Sequence, residues 1–296
     1  MSALSNSEFS CKISIVLPVY NGSKTLAVAI QSIVLQSFSD WELLVIDDGS
    51  TDDSIAIAKQ FKDTRIQVIE NLQNEGLAAK LNQGISLSRG QYFARMDQDD
   101  IAYPERLVKQ FAYLEDNPAT DLVAARAVIF TSDGEALGLL PFYTNHAEIC
   151  ARPWSGFYMP HPTWVGRLSW FKLHCYRMPE VVRGEDQELL LRTYHESIFA
   201  CLPEVLLAYR LDDISWNNSR TARLNLMPWF WRTHWAHRRY GYALMSIVSG
   251  LIKLTIEFGS LKLGRHDALR AQRTRAMDAE TVSNWQSVWQ IFGKNI

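Results

Sequence analysis

The chain has 296 residues, 47% of them hydrophobic and 21% charged, with a formal net charge of −2. That length holds one large α/β domain or a domain with an appendage, and the composition excludes disordered, low-complexity and disulfide-scaffold classes. The charge is unevenly placed: residues 216–296 carry 12 Lys/Arg against 4 Asp/Glu, and residues 1–215 carry 18 against 28. Six of the ten Trp also fall in the basic tail. Such a shift marks a boundary near residue 215 and predicts an anionic partner for the tail. Cys11, Cys150, Cys175 and Cys201 form no CxxC pair and are expected to be reduced thiols. The N-terminal MSALSNSEFSCK has no basic segment followed by an apolar core, so no signal peptide is expected. No apolar run reaches the ~18–20 residues that a bilayer requires. The nearest approach, Tyr242–Phe258, is interrupted by Lys253 and Glu257.

Ile13–Tyr20 is β-branched and apolar and ends at Asn21-Gly22, the pattern of a strand buried on both faces of a parallel sheet. Ser23–Gln36 has helical spacing. Trp41–Ile46 is a second strand, ending in Asp47-Asp48-Gly49-Ser50. Ser50-Thr51-Asp52-Asp53 offers N-caps for a helix to about Phe61. Ile66–Ile69 is a third strand, followed by Asn74-Glu75-Gly76 and a helix over Leu77–Leu87. Gly90–Met96 is a fourth strand, and it runs into Asp97-Gln98-Asp99-Asp100. Pro104-Glu105 opens a helix to about Glu115, and Leu122–Phe130 is a fifth strand. This alternation predicts an α/β, doubly wound, mostly parallel sheet with helices on both faces. The stretch 131–202 is less regular. In it, Gly184-Glu185-Asp186-Gln187 opens a helix over Glu188–Tyr194, and Leu206–Leu211 reads as a late strand. From Trp216 onward the pattern is helical and aromatic.

In doubly wound sheets ligands bind at the carboxyl ends of the strands. Polar residues gather at four such ends: Tyr20-Asn21, Asp47-Asp48, Asn71 to Asn74, and Asp97 to Asp100. Three carboxylates within four residues repel one another unless a cation neutralises them, and a hard divalent ion suits oxygen ligands. Taken alone the tetrapeptide reads best as a solvated acidic turn. The agreement of four strand ends favours a nucleotide site instead. The chain has neither GxxxxGK[ST] nor a GxGxxG after its first strand, which argues against a P-loop or a dinucleotide fold. Acids at Glu185-Asp186 could equally serve a helix dipole, at about 0.3–1 kcal/mol each.

The segments VLPVYNG (Val16–Gly22), IDDGSTDDS (Ile46–Ser54), NEGLAAKLNQGI (Asn74–Ile85), GQYFARMDQDD (Gly90–Asp100) and PERL (Pro104–Leu107) resemble the successive motifs of family-2 glycosyltransferases with the GT-A fold. The resemblance covers residues 13–130 and weakens beyond. It implies a nucleotide-sugar half over about 1–130, an acceptor half over about 131–215, and a C-terminal helical region over 216–296. It further implies that Pro18, Tyr20, Asn21, Asp47 and Asp48 hold the base and ribose. Gly76, Lys80 and Asn82 would approach base and phosphates, Lys80 standing where the family frequently has Arg. Asp97 and Asp99 would be the DxD pair, Asp97 shared between ribose and metal, Asp99 a ligand to Mn²⁺ or Mg²⁺. Asp186, beside Glu185, matches the acidic pair that supplies the general base, and His161 resembles an acceptor contact. Asp100 receives no role.

The resemblance implies an inverting, metal-dependent transferase that moves a hexosyl or N-acetylhexosaminyl group from a nucleotide-diphosphate sugar. The expected acceptor is a saccharide, free or lipid-linked, of surface polysaccharide or lipopolysaccharide. The alternative is a non-catalytic nucleotide-sugar-binding or scaffold protein that keeps the fold. Trp229, Phe230, Trp231 and Trp235 interleave with Arg232, Arg238 and Arg239, and Leu244, Ile247, Val248, Leu251, Thr255 and Phe258 follow at helical spacing. This pattern suits a peripheral anchor on an anionic membrane surface, at the inner face of the cytoplasmic membrane. It also suits a helical cap or an oligomer interface. No nucleic-acid partner is expected.

Overall fold

The computed structural model describes residues 11–181, 183–211, 216–263 and 274–293. A nine-stranded sheet runs through it in the order β3-β2-β1-β4-β8-β6-β9-β5, with β7 on the side of β6. The first four in that order are β3 (Ile66–Ile69), β2 (Trp41–Asp47), β1 (Cys11–Val19) and β4 (Gly90–Arg95), all mutually parallel. Beyond β4 the sheet is mixed. β8 (Val165–Arg167) lies antiparallel to both β4 and β6 (Leu122–Phe130), and β6 runs parallel to β9 (Phe199–Arg210). The two-residue β5 (Ile101–Ala102) closes one edge on β9, and β7 (Ala136–Leu139) is antiparallel to β6.

Side chains alternate along a strand, so β1 feeds two cores. Ile13, Ile15, Leu17 and Val19 point to one face, where α1 (Leu26–Val34), α2 (Ser54–Ala58) and α4 (Arg106–Asp116) cover them. Val16, with Leu44 and Ile46 of β2, points to the other, covered by α3 (Leu77–Leu87), α6 (Leu168–Leu173) and α7 (Glu185–Thr193). Gly84 permits the second layer its close approach: a Cβ there would stand 2.4 Å from Val16 Cγ1. The short α5 (His146–Ile149) lies in the irregular middle of the chain.

The tail forms α8 (Trp216–Ala236), α9 (Tyr240–Lys262) and α10 (Ala279–Phe292). Phe230 of α8 enters the second core. Trp285, Val288 and Phe292 of α10 form a third with Val128 and Phe130 of β6. The expectation that no segment is long enough to cross a bilayer is corrected here. α9 is 23 residues long, with a window of mean hydropathy 1.5, and by length and composition alone it meets that test. The charges that break the run in the sequence are turned inward. Glu257 is fully buried, with Arg223 of α8 at 3.2 Å, and Lys253 donates to Ser155. Leu244, Val248, Leu251, Ile252 and Phe258 remain exposed on the outer side.

Candidate active site

The carboxyl ends of β1, β2 and β4 converge, as a parallel sheet requires of its loops. At the end of β1, Tyr20 is half exposed, and its backbone exchanges hydrogen bonds with the Gln98 side chain (2.8 and 3.2 Å). Gln98 thereby fastens the acidic loop to the first strand end. Pro18 is buried within β1 opposite Ile46. Asn21 adopts a positive φ of 49°, and its Oδ1 accepts from Thr51 N–H at 2.8 Å. The loops after β1 and β2 are thus tied together.

Asp47 and Asp48 do different work. Asp47 accepts from the backbone N–H groups of Gly49 and Ser50 (3.0 and 3.2 Å) and so shapes its own turn. Asp48 accepts from Glu75 and Gly76 N–H (2.8 and 2.9 Å), anchoring the start of α3, where Gly76 sits at φ +90°. Each of its oxygens keeps a lone pair for a further donor. Lys80 is buried beneath, at 2.6 Å from Glu75 and 3.5 Å from Asp48. Asn82 is engaged elsewhere: its amide exchanges hydrogen bonds with the Tyr176 backbone (2.8 and 2.9 Å) and fixes that residue.

The acidic loop contains three carboxylates rather than a pair. Oxygens of Asp97, Asp99 and Asp100 lie within 4.8 Å of one another. Asp100 is buried; Oδ1 accepts from Arg210 N–H at 3.0 Å, and Oδ2 has no hydrogen-bond partner. Burial, then repulsion from Asp99 and Asp97, pushes its carboxyl well above the usual range. Burial and Asp97 push Asp99 up to about 6. An orphaned buried oxygen beside two further carboxylates is a donor set that fits a hard divalent cation.

A second cluster faces the first. His161, Glu185 and Asp186 also present ligand-type atoms within 4.8 Å of one another. Gly184, in the left-handed region at φ +83°, starts α7 and aims Glu185 and Asp186 from its first turn. Burial and the Asp186 charge raise the Glu185 carboxyl to about 7. His161 is buried, so its imidazole titrates well below its ordinary range and is neutral. Its 3.7 Å approach to Glu185 is therefore a contact of a neutral ring, while Nε2 shares a 2.8 Å hydrogen bond with Tyr176 OH. Asp186 Oδ2 accepts from Gln187 Nε2 at 3.0 Å.

Arg95 links the two clusters. Its side chain is buried, with Nη2 at 2.7 Å from Asp97 Oδ1 and both Nε and Nη1 unpartnered. Burial opposes its charge, but Asp97, Tyr176, Glu185 and Asp100 outweigh that and hold the guanidinium above its usual range. Arg106, whose own guanidinium burial lowers to about 9, donates from Nη2 to the Arg95 carbonyl at 2.7 Å. Sequence reasoning assigned no role to Arg95 and left that of Asp100 open. The cation directly before the acids, Arg95-Met96-Asp97, was the available signal.

Residues 14–174 match the model of glycosyl transferase family 2. The chain belongs to that family. This family-2 glycosyltransferase is 38% identical over 191 residues to EpsE of Bacillus subtilis (strain 168), covering 62% of this chain and 67% of that one. To the UDP-Glc:alpha-D-GlcNAc-diphosphoundecaprenol beta-1,3-glucosyltransferase WfgD of Escherichia coli it is 33% identical over 105 residues, 36% of this chain and 42% of that one. Among solved structures, S. aureus TarS in complex with UDP-GlcNAc matches at TM-score 0.64 and 17% identity, over 96% of this chain and 81% of that one. That likeness shows the GT-A fold alone.

Proposed function

We propose that the chain is an inverting transferase that moves a sugar from a nucleotide-diphosphate sugar to a lipid-linked saccharide acceptor of surface polysaccharide biosynthesis. The observation that carries this reading is the pair of facing carboxylate clusters, one able to take a cation and the other starting a helix, with Arg95 buried between them. Support for the donor and acceptor classes comes from the relatives. TarS was solved with UDP-GlcNAc, and the WfgD name specifies a diphosphoundecaprenol-linked acceptor.

In this reading Tyr20, Asn21 and Asp48 hold the base and ribose, with Asp47, Gly76 and Lys80 supporting them. Asp97 and Asp99, joined by Asp100, would hold Mn²⁺ or Mg²⁺. That ion, when bound, would offset the charge growing on the leaving diphosphate. Asp186 takes the proton from the acceptor hydroxyl as its oxygen bonds to the anomeric carbon. The bond from that carbon to the diphosphate oxygen breaks, and its electron pair leaves with the diphosphate. One displacement from the opposite face inverts the configuration. Glu185 and His161 border the acceptor side. The catalytic unit is residues 1–215, and the helices of 216–296 rest against the inner face of the cytoplasmic membrane through the exposed apolar side of α9. Asp186→Asn is the test. Nucleotide-sugar binding, followed by thermal shift with Mn²⁺, should persist, while transfer falls by roughly 10²–10⁴-fold. Equal loss of donor binding would make Asp186 a structural residue.

A further inference from the structure

Three neighbouring hollows lie between residues 154–160 and the helices α8 and α9, and Lys253 lines all of them. The largest has a volume of about 550 Å³ and is bordered by Phe157, Tyr158, Gln187, Arg223 and Arg275. Another is an apolar furrow along α9, lined by Trp154, Leu244, Val248 and Ile252. Residues 244, 248 and 252 share one helix face, so the furrow follows α9 for about 12 Å.

Gln187 lines the large basin and also touches Asp186. The Gln187 amide accepts from Phe157 N–H at 2.8 Å and donates to Phe157 O at 3.1 Å, and it also donates to Asp186 at 3.0 Å. The basin is lopsided in charge. Among the described residues, Arg223, Lys253 and Arg275 face one carboxylate, Glu257, which is buried and paired with Arg223. Lys253 Nζ donates to Ser155 O and, at 2.9 Å, to Ser155 Oγ, which holds the ammonium where the hollows meet. Its enclosure favours an arriving anion, because burial makes an uncompensated charge costly. A cationic basin that continues into an apolar furrow is complementary to an amphiphile with a compact anionic head. The volume of the basin leaves space beyond a phosphate for sugar rings.

We propose that Lys253, with Arg223 and Arg275, binds the diphosphate of the lipid-linked acceptor, whose hydrocarbon chain lies in the furrow along α9 and whose saccharide extends past Gln187 to Asp186. This rests on the transferase reading above and adds to it the acceptor's anion subsite. Flotation tests it, with phosphatidylcholine vesicles that contain polyprenyl diphosphate or, at matched surface charge, phosphatidylglycerol. The unaltered protein should prefer the diphosphate vesicles by at least about tenfold, the strength of one charge-assisted hydrogen bond. Lys253→Met keeps the apolar stem and should abolish the preference, and Lys253→Arg should retain it. Arg275→Gln, at an exposed position, should reduce it severalfold without burying or freeing a charge. A preference unchanged in both Lys253→Met and Arg275→Gln, or absent in the unaltered protein, overturns the subsite. Thermal shift with a panel of nucleotide sugars and Mn²⁺ should be the same in all four proteins. Loss of that shift in the unaltered protein would count against the transferase reading instead.

Discussion

Glu185→Gln should change how stability depends on pH. In the folded chain burial and the neighbouring Asp186 raise the Glu185 carboxyl from 4.5 to about 7. Its side chain is only 12% exposed, so solvent screens this little. A folded-state value above the unfolded one means that the native state binds the extra proton. The wild type therefore loses stability as pH rises from 4.5 to about 7, and the loss is complete above that. Each unit corresponds to ~1.4 kcal/mol, so the full effect is about 3 kcal/mol. Glutamine has the same shape and no charge to bury. Urea unfolding of both proteins below pH 4.5 and above about pH 7 reports Glu185 together with the charges coupled to it, Asp186 foremost, because titrating groups remote from this cluster cancel in the difference. The variant should gain about 3 kcal/mol on the wild type across that interval. A difference that stays constant to within about 0.5 kcal/mol would refute a buried, proton-holding Glu185.

Asp99→Asn should weaken Mn²⁺ binding, measured by calorimetry, by at least about tenfold, with transfer falling in step. Unchanged affinity would remove Asp99 from the cation site. Gly84→Ala brings a methyl 2.4 Å from Val16 Cγ1, and the strain should exceed the helix propensity gained. A net destabilisation of about 1–2 kcal/mol is expected in urea melts, and a stabilised variant would show that α3 shifts freely on the sheet.

The first half of the fold was legible because β1 and β2 are buried on both faces and write themselves as continuous apolar runs, while the partly exposed edge strand β3 is short and apolar between turns. Ile66–Ile69, Leu77–Leu87 and Leu122–Phe130 coincide with β3, α3 and β6. β5 was not legible: its two residues are a strand only because β9, a hundred residues later, pairs with them. Only the far half of β9 was read, since Pro203-Glu204 interrupts its pattern where the β6 register shifts. In the site, the carboxylates at strand ends announced themselves, but their company did not. Asp100 acquires its setting from Arg210, 110 positions away, and Asn82 turns to Tyr176, 94 positions away. Lys253 and Glu257 read as interruptions of an apolar helix because sequence does not say which way a side chain faces.

The position of Arg95 binds the two halves of the site into one thermodynamic unit. Glu185 responds to the charges of both Arg95 and Asp97, the first easing its ionisation and the second opposing it. Neutralising Asp97 therefore makes Glu185 a stronger acid, and ionising Glu185 must favour positive charge at Asp97 by the same free energy. Positive charge arriving at Asp97 is thus felt as a proton released at Glu185, with no helix or loop required to move. In the reading proposed above, donor and acceptor thereby sense each other through charge alone, across the site that Arg95 occupies.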